Sequence, residues 1–153
     1  MNNRKLAIII GAVGALVLFG NRFKRLYDGI KYAVKNLRFV NLDLSSGNIS
    51  LAFDFAVYNP SLLSVNIESL DGVVLLQNQQ IGFVNMPVGR ELRAKEETTI
   101  PVLVNVLSTD AIAQVINLLS YSTMQQWIIT LRGTLRVNSH DIDIVYNYPM
   151  SNL

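Results

Sequence analysis

The chain has 153 residues, of which 50% are hydrophobic and only 16% are charged, and its formal net charge is +2. This length suits one domain with an appendage. The absence of cysteine excludes disulfides, thiolate metal sites and cysteine nucleophiles, and the single histidine excludes any site that needs two imidazoles.

The charges are divided unevenly along the chain. Residues 1–38 contain eight basic residues and one acidic residue, a net charge of +7, and the remainder has a net charge of −5. A basic end on an acidic body is typical of a tail that meets phosphate, either of lipid headgroups or of nucleic acid. Because an uncharged apolar run lies among these cations, we expect a lipid bilayer and not nucleic acid as the partner.

The first predicted element is the apolar run Leu6–Phe19, whose 14 residues carry no charge. It predicts a helix that serves as a single-pass N-terminal anchor in a cell envelope or virion membrane. Such a helix spans about 21 Å, less than the roughly 30 Å of the hydrocarbon core, so flanking cations must reach the two interfaces. A cleaved signal peptide and a segment buried in a protein assembly stay open as alternatives. The anchor residues are Leu6, Ile8, Ile9, Ile10, Val13, Leu16, Val17, Leu18 and Phe19.

The next stretch, Arg22–Leu37, has apolar residues at helical spacing and predicts an amphipathic helix. Its basic face suits an anionic bilayer surface, and the alternative is a linker helix that packs on the domain. Small residues at Ala7, Gly11 and Ala15 of the anchor permit the close approach of two such helices, and so self-association. The predicted membrane-surface cations are Arg4, Lys5, Arg22, Lys24, Arg25, Lys31 and Lys35. Residues 1–37 are thus the predicted appendage.

Residues 38–153 form the predicted domain, in which the pattern changes to short strands. The clearest strand runs from Asn48 to Asn59, where apolar residues alternate with small or polar ones. It ends there because the Asn59 side chain can hydrogen-bond the following backbone and Pro60 lacks a donor. Other strands are predicted over residues 38–44, 64–70, 73–77, 81–85, 98–107, 125–137 and 142–148. Between them we predict a hairpin turn at Asp71-Gly72, a polar turn over 77–80, an irregular stretch over 87–91 and a helix from Ser108 to about Tyr121. Pro101, which lacks a donor, favours an edge strand or the start of a strand. This pattern predicts a mainly β fold, a sandwich of antiparallel sheets with one helix, preceded by the N-terminal hydrophobic helix.

The titratable residues form no recognisable catalytic or metal-binding constellation. His140, Asp141 and Asp143 lie together on the last predicted hairpin, and we interpret them as a solvated face rather than as a metal or acid–base site. We interpret Asn59 and Pro60 as the end of a strand rather than as a binding site. The prediction is therefore a protein that is not an enzyme and that uses no cofactor.

Four short motifs, in this order, resemble the late embryogenesis abundant type 2 family, also called the water-stress and hypersensitive-response domain. They are Phe55–Ser61, Leu70-Asp71-Gly72 followed by Ile81-Gly82, Thr99–Val102, and Gly133–Val137. The resemblance covers residues 40–149 and implies an immunoglobulin- or fibronectin-III-like sandwich, with Asn59, Pro60 and Gly133 as structural family positions. It also implies a non-enzymatic protein, often tethered to a membrane by an N-terminal segment and linked to stress protection or to assembly. The residues that precede the predicted domain here are apolar and basic, a departure from the long acidic or disordered lead of the plant members.

These observations predict a membrane-tethered, non-catalytic β-sandwich with a binding, protective or structural role at a membrane. Its expected partners are the lipid bilayer and a protein partner or assembly. Two other hypotheses compete with this one. The chain is a structural subunit of a large assembly such as a virion, or it carries apolar ligands between its two sheets.

Overall fold

The computed structural model of the chain describes residues 26–43, 46, 48–106, 109–120 and 127–150. In these residues seven strands make up most of the structure, and one helix of 12 residues lies between the fifth and sixth strands. The strands are β1 (Lys31–Asp43), β2 (Asn48–Tyr58), β3 (Val65–Leu76), β4 (Gln79–Leu92), β5 (Glu97–Asn105), β6 (Ile128–Val137) and β7 (His140–Pro149), and the helix is α1 (Thr109–Ser120).

The strands form two antiparallel sheets, one with the order β1-β2-β5 and the other with the order β4-β3-β6-β7. The inward side chains of both sheets join in one hydrophobic core, as a sandwich requires. Large side chains buried almost completely come from both sheets and include Phe55, Leu51, Ile67, Leu70, Leu135 and Ile144. The predicted mainly β fold of antiparallel sheets is confirmed.

The strand predicted from Asn48 is confirmed as β2, which lies at the centre of the three-stranded sheet. Its alternate residues Leu51, Phe53, Phe55 and Val57 are at most 2% exposed and face the core. Apolar residues therefore recur at every second position of β2 for the reason inferred from the sequence, because one face of the strand packs against the opposite sheet.

The amphipathic helix predicted over Arg22–Leu37 is wrong from Lys31 onward, because these residues form the first half of β1. A helical turn over residues 26–28 precedes the strand. The predicted boundary between an appendage of residues 1–37 and a domain of residues 38–153 therefore falls inside β1.

An irregularity in β1 explains the error. The register between β1 and β2 shifts between Lys35 and Arg38, and Asn36 takes a positive φ of 52° there. This bulge turns both Val34 and Leu37 into the core, where they are 5% and 4% exposed. A strand thus carries the three-residue apolar spacing that is otherwise typical of a helix.

The hairpin turn predicted at Asp71-Gly72 is also wrong, because β3 runs through these residues without a break. Gly72 lies directly opposite Gly133 of β6. The two backbones approach so closely that a Cβ on Gly72 would lie 2.6 Å from the carbonyl oxygen of Arg132, and a Cβ on Gly133 would collide with the carbonyl oxygen of Asp71. Glycine here permits a close approach of two strands and does not make a turn.

The remaining elements agree with the sequence with one exception. The stretch over residues 87–91 is not irregular, since β4 continues to Leu92 as an edge strand, in which Pro87 is tolerated. The predicted polar turn is confirmed at Gln77 and Asn78, whose φ angles are 49° and 67°. Pro101 lies in β5, an edge strand as predicted. The helix α1 agrees with the predicted helix to within one residue at each end.

No helix in the part of the chain that the structure describes is long and apolar enough to cross a membrane. The predicted anchor, Leu6–Phe19, lies outside that part and stays a prediction.

Candidate functional site

One end of the sandwich is organised around Asn59, whose side chain is fully buried where β2 ends. Its amide nitrogen donates hydrogen bonds to the carbonyl oxygens of Leu63 at 2.8 Å and Leu92 at 3.2 Å. Its Oδ1 accepts a hydrogen bond from the Ser61 backbone N–H at 3.0 Å and lies 2.7 Å from the Ser61 hydroxyl. The predicted hydrogen bond from the following backbone to Asn59 is confirmed, and the buried amide is fully satisfied.

Two loops cross from one sheet to the other at this end: residues 59–64 connect β2 to β3, and residues 93–96 connect β4 to β5. The backbone of Asn59 joins these two crossover loops. The Asn59 N–H donates to the Glu96 carbonyl oxygen at 3.1 Å, and the Lys95 N–H donates to the Asn59 carbonyl oxygen at 2.9 Å. The Lys95 ammonium group also donates to the Pro60 carbonyl oxygen. The two crossovers are therefore one hydrogen-bonded unit, which restricts the motion of both loops.

Two adjacent leucines stand in solvent on the first of these loops. The exposed fraction is 82% for Leu62 and 60% for Leu63. The loop holds them in place, since the Ser61 hydroxyl accepts from the Leu63 N–H at 3.2 Å and lies 2.8 Å from the Leu63 carbonyl oxygen. Its single proton serves either this oxygen or the Asn59 Oδ1. These leucines are not among the predicted functional residues, although the sequence shows an apolar pair between Asn59-Pro60 and the next strand.

The chain begins its path through the sandwich at the same end. Lys31, the first residue of β1, pairs with Tyr58, the last residue of β2. Just before it, the Ile30 N–H donates to the Tyr27 carbonyl oxygen at 3.1 Å, and the Tyr27 ring stacks on His140 with 4.3 Å between centroids. The chain N-terminal to Leu26 therefore joins the sandwich here. We call this end, formed by residues 26–30, 59–64 and 93–96, the Asn59 end.

Two of the predicted membrane-surface cations lie in the described residues, and both are exposed on β1. The Lys35 ammonium group forms an ion pair with Glu97 at 2.7 Å, reaching across β2. The Lys31 ammonium group makes no hydrogen bond or ion pair within the described ranges. The other predicted cations and all the predicted anchor residues lie outside the described residues: Arg4, Lys5, Arg22, Lys24 and Arg25, with Leu6–Phe19.

The hairpin residues considered for a metal or acid–base site make separate contacts. His140 stacks on Tyr27, and Asp141 accepts hydrogen bonds from the Arg136 guanidinium at 2.8 and 3.2 Å. The hydrogen bond from Arg136 lowers the pKa of the Asp141 carboxyl group. Asp143 is exposed on the same strand. Among the described residues no cluster of three or more histidine or carboxylate side chains is arranged to hold a metal ion.

The sequence model of the family described as late embryogenesis abundant protein, type 2, matches residues 54–147. The chain belongs to this family. A solution structure described as that of a candidate late embryogenesis abundant protein is similar in fold, with 14% sequence identity and a TM-score of 0.50 over 95% of this chain and 83% of that one. No curated protein matches the chain.

Two other solved structures are similar at a lower level. One is described as a candidate ApaA protein from Bordetella pertussis, with 15% identity and a TM-score of 0.48 over 78% of this chain and 89% of that one. The other is a protein from Archaeoglobus fulgidus, with 8% identity and a TM-score of 0.48 over 78% of this chain and 90% of that one.

The late embryogenesis abundant type 2 match includes all three positions that the sequence motifs had singled out. Asn59 and Pro60 lie in the loop that links the two crossovers, and Gly133 lies where β6 approaches β3 most closely. Each has a direct packing or hydrogen-bonding function in this chain. Membership in the family suggests a stress-related role without catalysis.

The space between the two sheets bears on the ligand-carrier hypothesis. Between the described parts of the two sheets, a cavity lined by residues such as Phe53, Val74 and Tyr146 has a volume of about 10 Å³, which holds one water molecule at most and no acyl chain. A larger cleft of about 390 Å³ lies between the edge strands β4 and β5, beside Phe83 and Leu103. Of these two spaces in the described part of the late embryogenesis abundant domain, the cleft at the edge is the one with room for an apolar ligand.

Proposed function

We propose that this late embryogenesis abundant type 2 chain is a membrane-tethered, non-catalytic β-sandwich with a protective or structural role at a membrane. The single observation that carries the tether is the uncharged run Leu6–Phe19 with cations on both sides. The family match supports the non-catalytic and stress-related part of the proposal. In this view the domain acts by binding or covering a membrane-associated partner, and the N-terminal segment fixes where it acts.

We also infer an immunoglobulin-like topology for the sandwich. Lettered in chain order as A, B, C, C′, E, F and G, the seven strands give one sheet A-B-E and a second sheet C′-C-F-G. In the immunoglobulin arrangement A, B and E share one sheet, and C′, where present, joins the sheet of C, F and G. The strand order therefore supports this class.

Alkaline-carbonate extraction tests the tether. Membranes from cells that express the full chain are compared with those from cells that express the chain without residues 1–25. This truncation keeps all of β1, whereas removal of residues 1–37 deletes half of that strand. We expect the full chain to stay in the membrane pellet and the truncated chain to be soluble.

Two results would contradict the proposal. Extraction of the full chain by carbonate would show that the apolar run is cleaved or buried against protein, which favours a subunit of a large assembly such as a virion. Retention of the truncated chain in the pellet would place the membrane contact in the domain itself.

A further inference from the structure

The exposed pair Leu62-Leu63 is the feature of the Asn59 end that the tether and the fold leave unexplained. We propose that loop 59–64 inserts these two leucines into the interfacial region of the bilayer, as a second contact beside the N-terminal segment. This inference rests on the proposed function, because it needs the chain to be held at a membrane.

The two leucines differ from the other exposed apolar residues. Leu103, Phe83 and Val145 are 62%, 55% and 54% exposed, but each lies within a strand on the face of a sheet. Leu62 and Leu63 are consecutive residues of a loop at the end of the sandwich. Such a pair can insert its two side chains into an apolar layer while the faces of both sheets stay in water.

The length of chain before the described residues brings this end close to a bilayer. Six residues, 20–25, separate the apolar run from Leu26, where the described chain begins at the Asn59 end. The seven steps from Phe19 to Leu26 span at most about 25 Å in extended chain. With Leu6–Phe19 in the membrane, the Asn59 end therefore lies within about that distance of the bilayer, while the chain length sets no such limit for the opposite end, a strand length away along the sandwich.

Several of the polar groups beside the leucines are already paired, which lowers the cost of entering an apolar layer. The Ser61 N–H is bound by Asn59, and the Leu63 N–H is bound by the Ser61 hydroxyl. The carbonyl oxygens of Leu63 and Pro60 accept from the Asn59 amide and the Lys95 ammonium group. A loop with these groups free would have to strip them of water on insertion.

The charges of the crossover loop 93–96 favour an apolar contact over an electrostatic one. Arg93 and Lys95 of this loop stand beside Glu96 and the adjoining Glu91, and Arg93 lies 3.9 Å from Glu91. Such a balanced surface gives little attraction to anionic lipid. The contact should therefore form on a zwitterionic bilayer, and the partner is the acyl-chain boundary rather than a particular headgroup.

Site-specific fluorescence on the full chain tests the proposal, because the chain has no native cysteine. The variant Leu62→Cys is labelled with an environment-sensitive dye and reconstituted into phosphatidylcholine vesicles. Leu103→Cys is the matched control, since Leu103 is similarly exposed but lies on the face of a sheet away from the Asn59 end. Vesicle flotation and quenching by a spin label on the upper acyl chain are read on the same samples.

We expect both variants to float with the vesicles and the quenching at position 62 to exceed that at position 103 several-fold, because an interfacial contact lies about 5–10 Å deep. Equal quenching at the two positions in floating protein would overturn the insertion and leave the tether intact. Shielding of the dye at position 62 without lipid quenching would assign the leucines to a protein contact and overturn it too. Failure of both variants to float would overturn the tether and the insertion together.

Discussion

The two long seams of the sandwich, where the edge of one sheet meets the edge of the other, are closed by different means. At the β1–β7 seam the Tyr32 hydroxyl accepts a hydrogen bond from the Val145 N–H at 3.2 Å. At the β4–β5 seam the Arg90 guanidinium donates to the Thr99 carbonyl oxygen at 3.1 Å. Farther along, Gly82 lies against Val104, and the cleft of about 390 Å³ opens between these contacts.

The difference shows how the first described residues contribute to the fold. Aromatic side chains that precede or begin β1 seal one seam, since Tyr27 stacks on His140 at the start of β7 and the Tyr32 hydroxyl binds Val145 of β7. The other seam is closed by the Arg90 hydrogen bond and by the close approach of Gly82 to Val104, with a cleft between these two contacts. Residues from Tyr27 onward are therefore part of the domain and not of an appendage.

Among single substitutions, the largest effect is expected inside the four-stranded sheet, and the effects at the two seams are compared with it. In Gly133→Ala the new Cβ would meet the Asp71 carbonyl oxygen and lie 2.6 Å from the Gly72 Cα. Because backbone atoms cannot move aside as a side chain can, we expect the free energy of unfolding to fall by about 3 kcal/mol or more. Urea unfolding measures it, with Thr134→Ala as the neighbouring control. A loss equal to that of the control would refute the close approach of β3 and β6.

A smaller loss is expected at the β4–β5 seam. In Gly82→Ala the new Cβ would meet the Val104 side chain and lie 3.1 Å from the Asn105 carbonyl oxygen. Since the Val104 side chain and the open cleft can give way, we expect a loss of about 1–2 kcal/mol in the free energy of unfolding. Thermal unfolding of this variant and of Gly133→Ala under one condition gives the ranking. A larger loss of stability in Gly82→Ala than in Gly133→Ala would contradict the expectation that the sheet interior is packed more tightly than the seam.

The β1–β7 seam is tested by Tyr32→Phe, which removes the acceptor of the Val145 N–H and little else. We expect the free energy of unfolding to fall by about 1 kcal/mol. Tyr58→Phe is the matched control, because the Tyr58 hydroxyl makes no hydrogen bond within the described residues. Amide hydrogen exchange at Val145 should quicken in the first variant and stay unchanged in the second. Equal exchange in both would mean that Tyr32 does not seal the seam.

The smallest effect is a dependence on pH at the β6–β7 hairpin beside the same seam. The hydrogen bond from Arg136 lowers the pKa of Asp141, so the pair stabilises the fold above the ordinary carboxyl pKa and loses this contribution as pH falls through the lowered value. The side chains are about half exposed, so the effect is small and weakened by salt. Asp141→Asn should lower stability at neutral pH and match the parent in strong acid. A difference between variant and parent that persists in strong acid would contradict this account.

The sequence predicts the parts of this fold in which one rule acts alone. The alternation in β2, the polar turn after β3 and the edge position of Pro101 follow from side-chain period, turn chemistry and the missing proline donor. Family membership was also readable, from short motifs in the right order.

The misses occur where tertiary contacts override a local signal. The bulge at Asn36 gives β1 the apolar spacing of a helix. The glycine of Asp71-Gly72 resembles a turn residue in the sequence, but in the continuous strand β3 it permits the close approach of Gly133. Both depend on a partner strand that is distant in sequence. At the Asn59 end the sequence predicted the Asn59 hydrogen bond but not the exposed leucines, since exposure is a property of the folded loop.

The measurement that tests the central claim most directly compares two truncations. The account divides the chain into a tether that ends before Tyr27 and a sandwich that starts there. Urea unfolding of the chain without residues 1–25 should give one cooperative transition, whereas the chain without residues 1–37 should lose several kcal/mol or fail to fold, since it lacks half of β1. Equal stability of the two truncated chains would contradict the account, because residues 26–37 would then lie outside the folded domain.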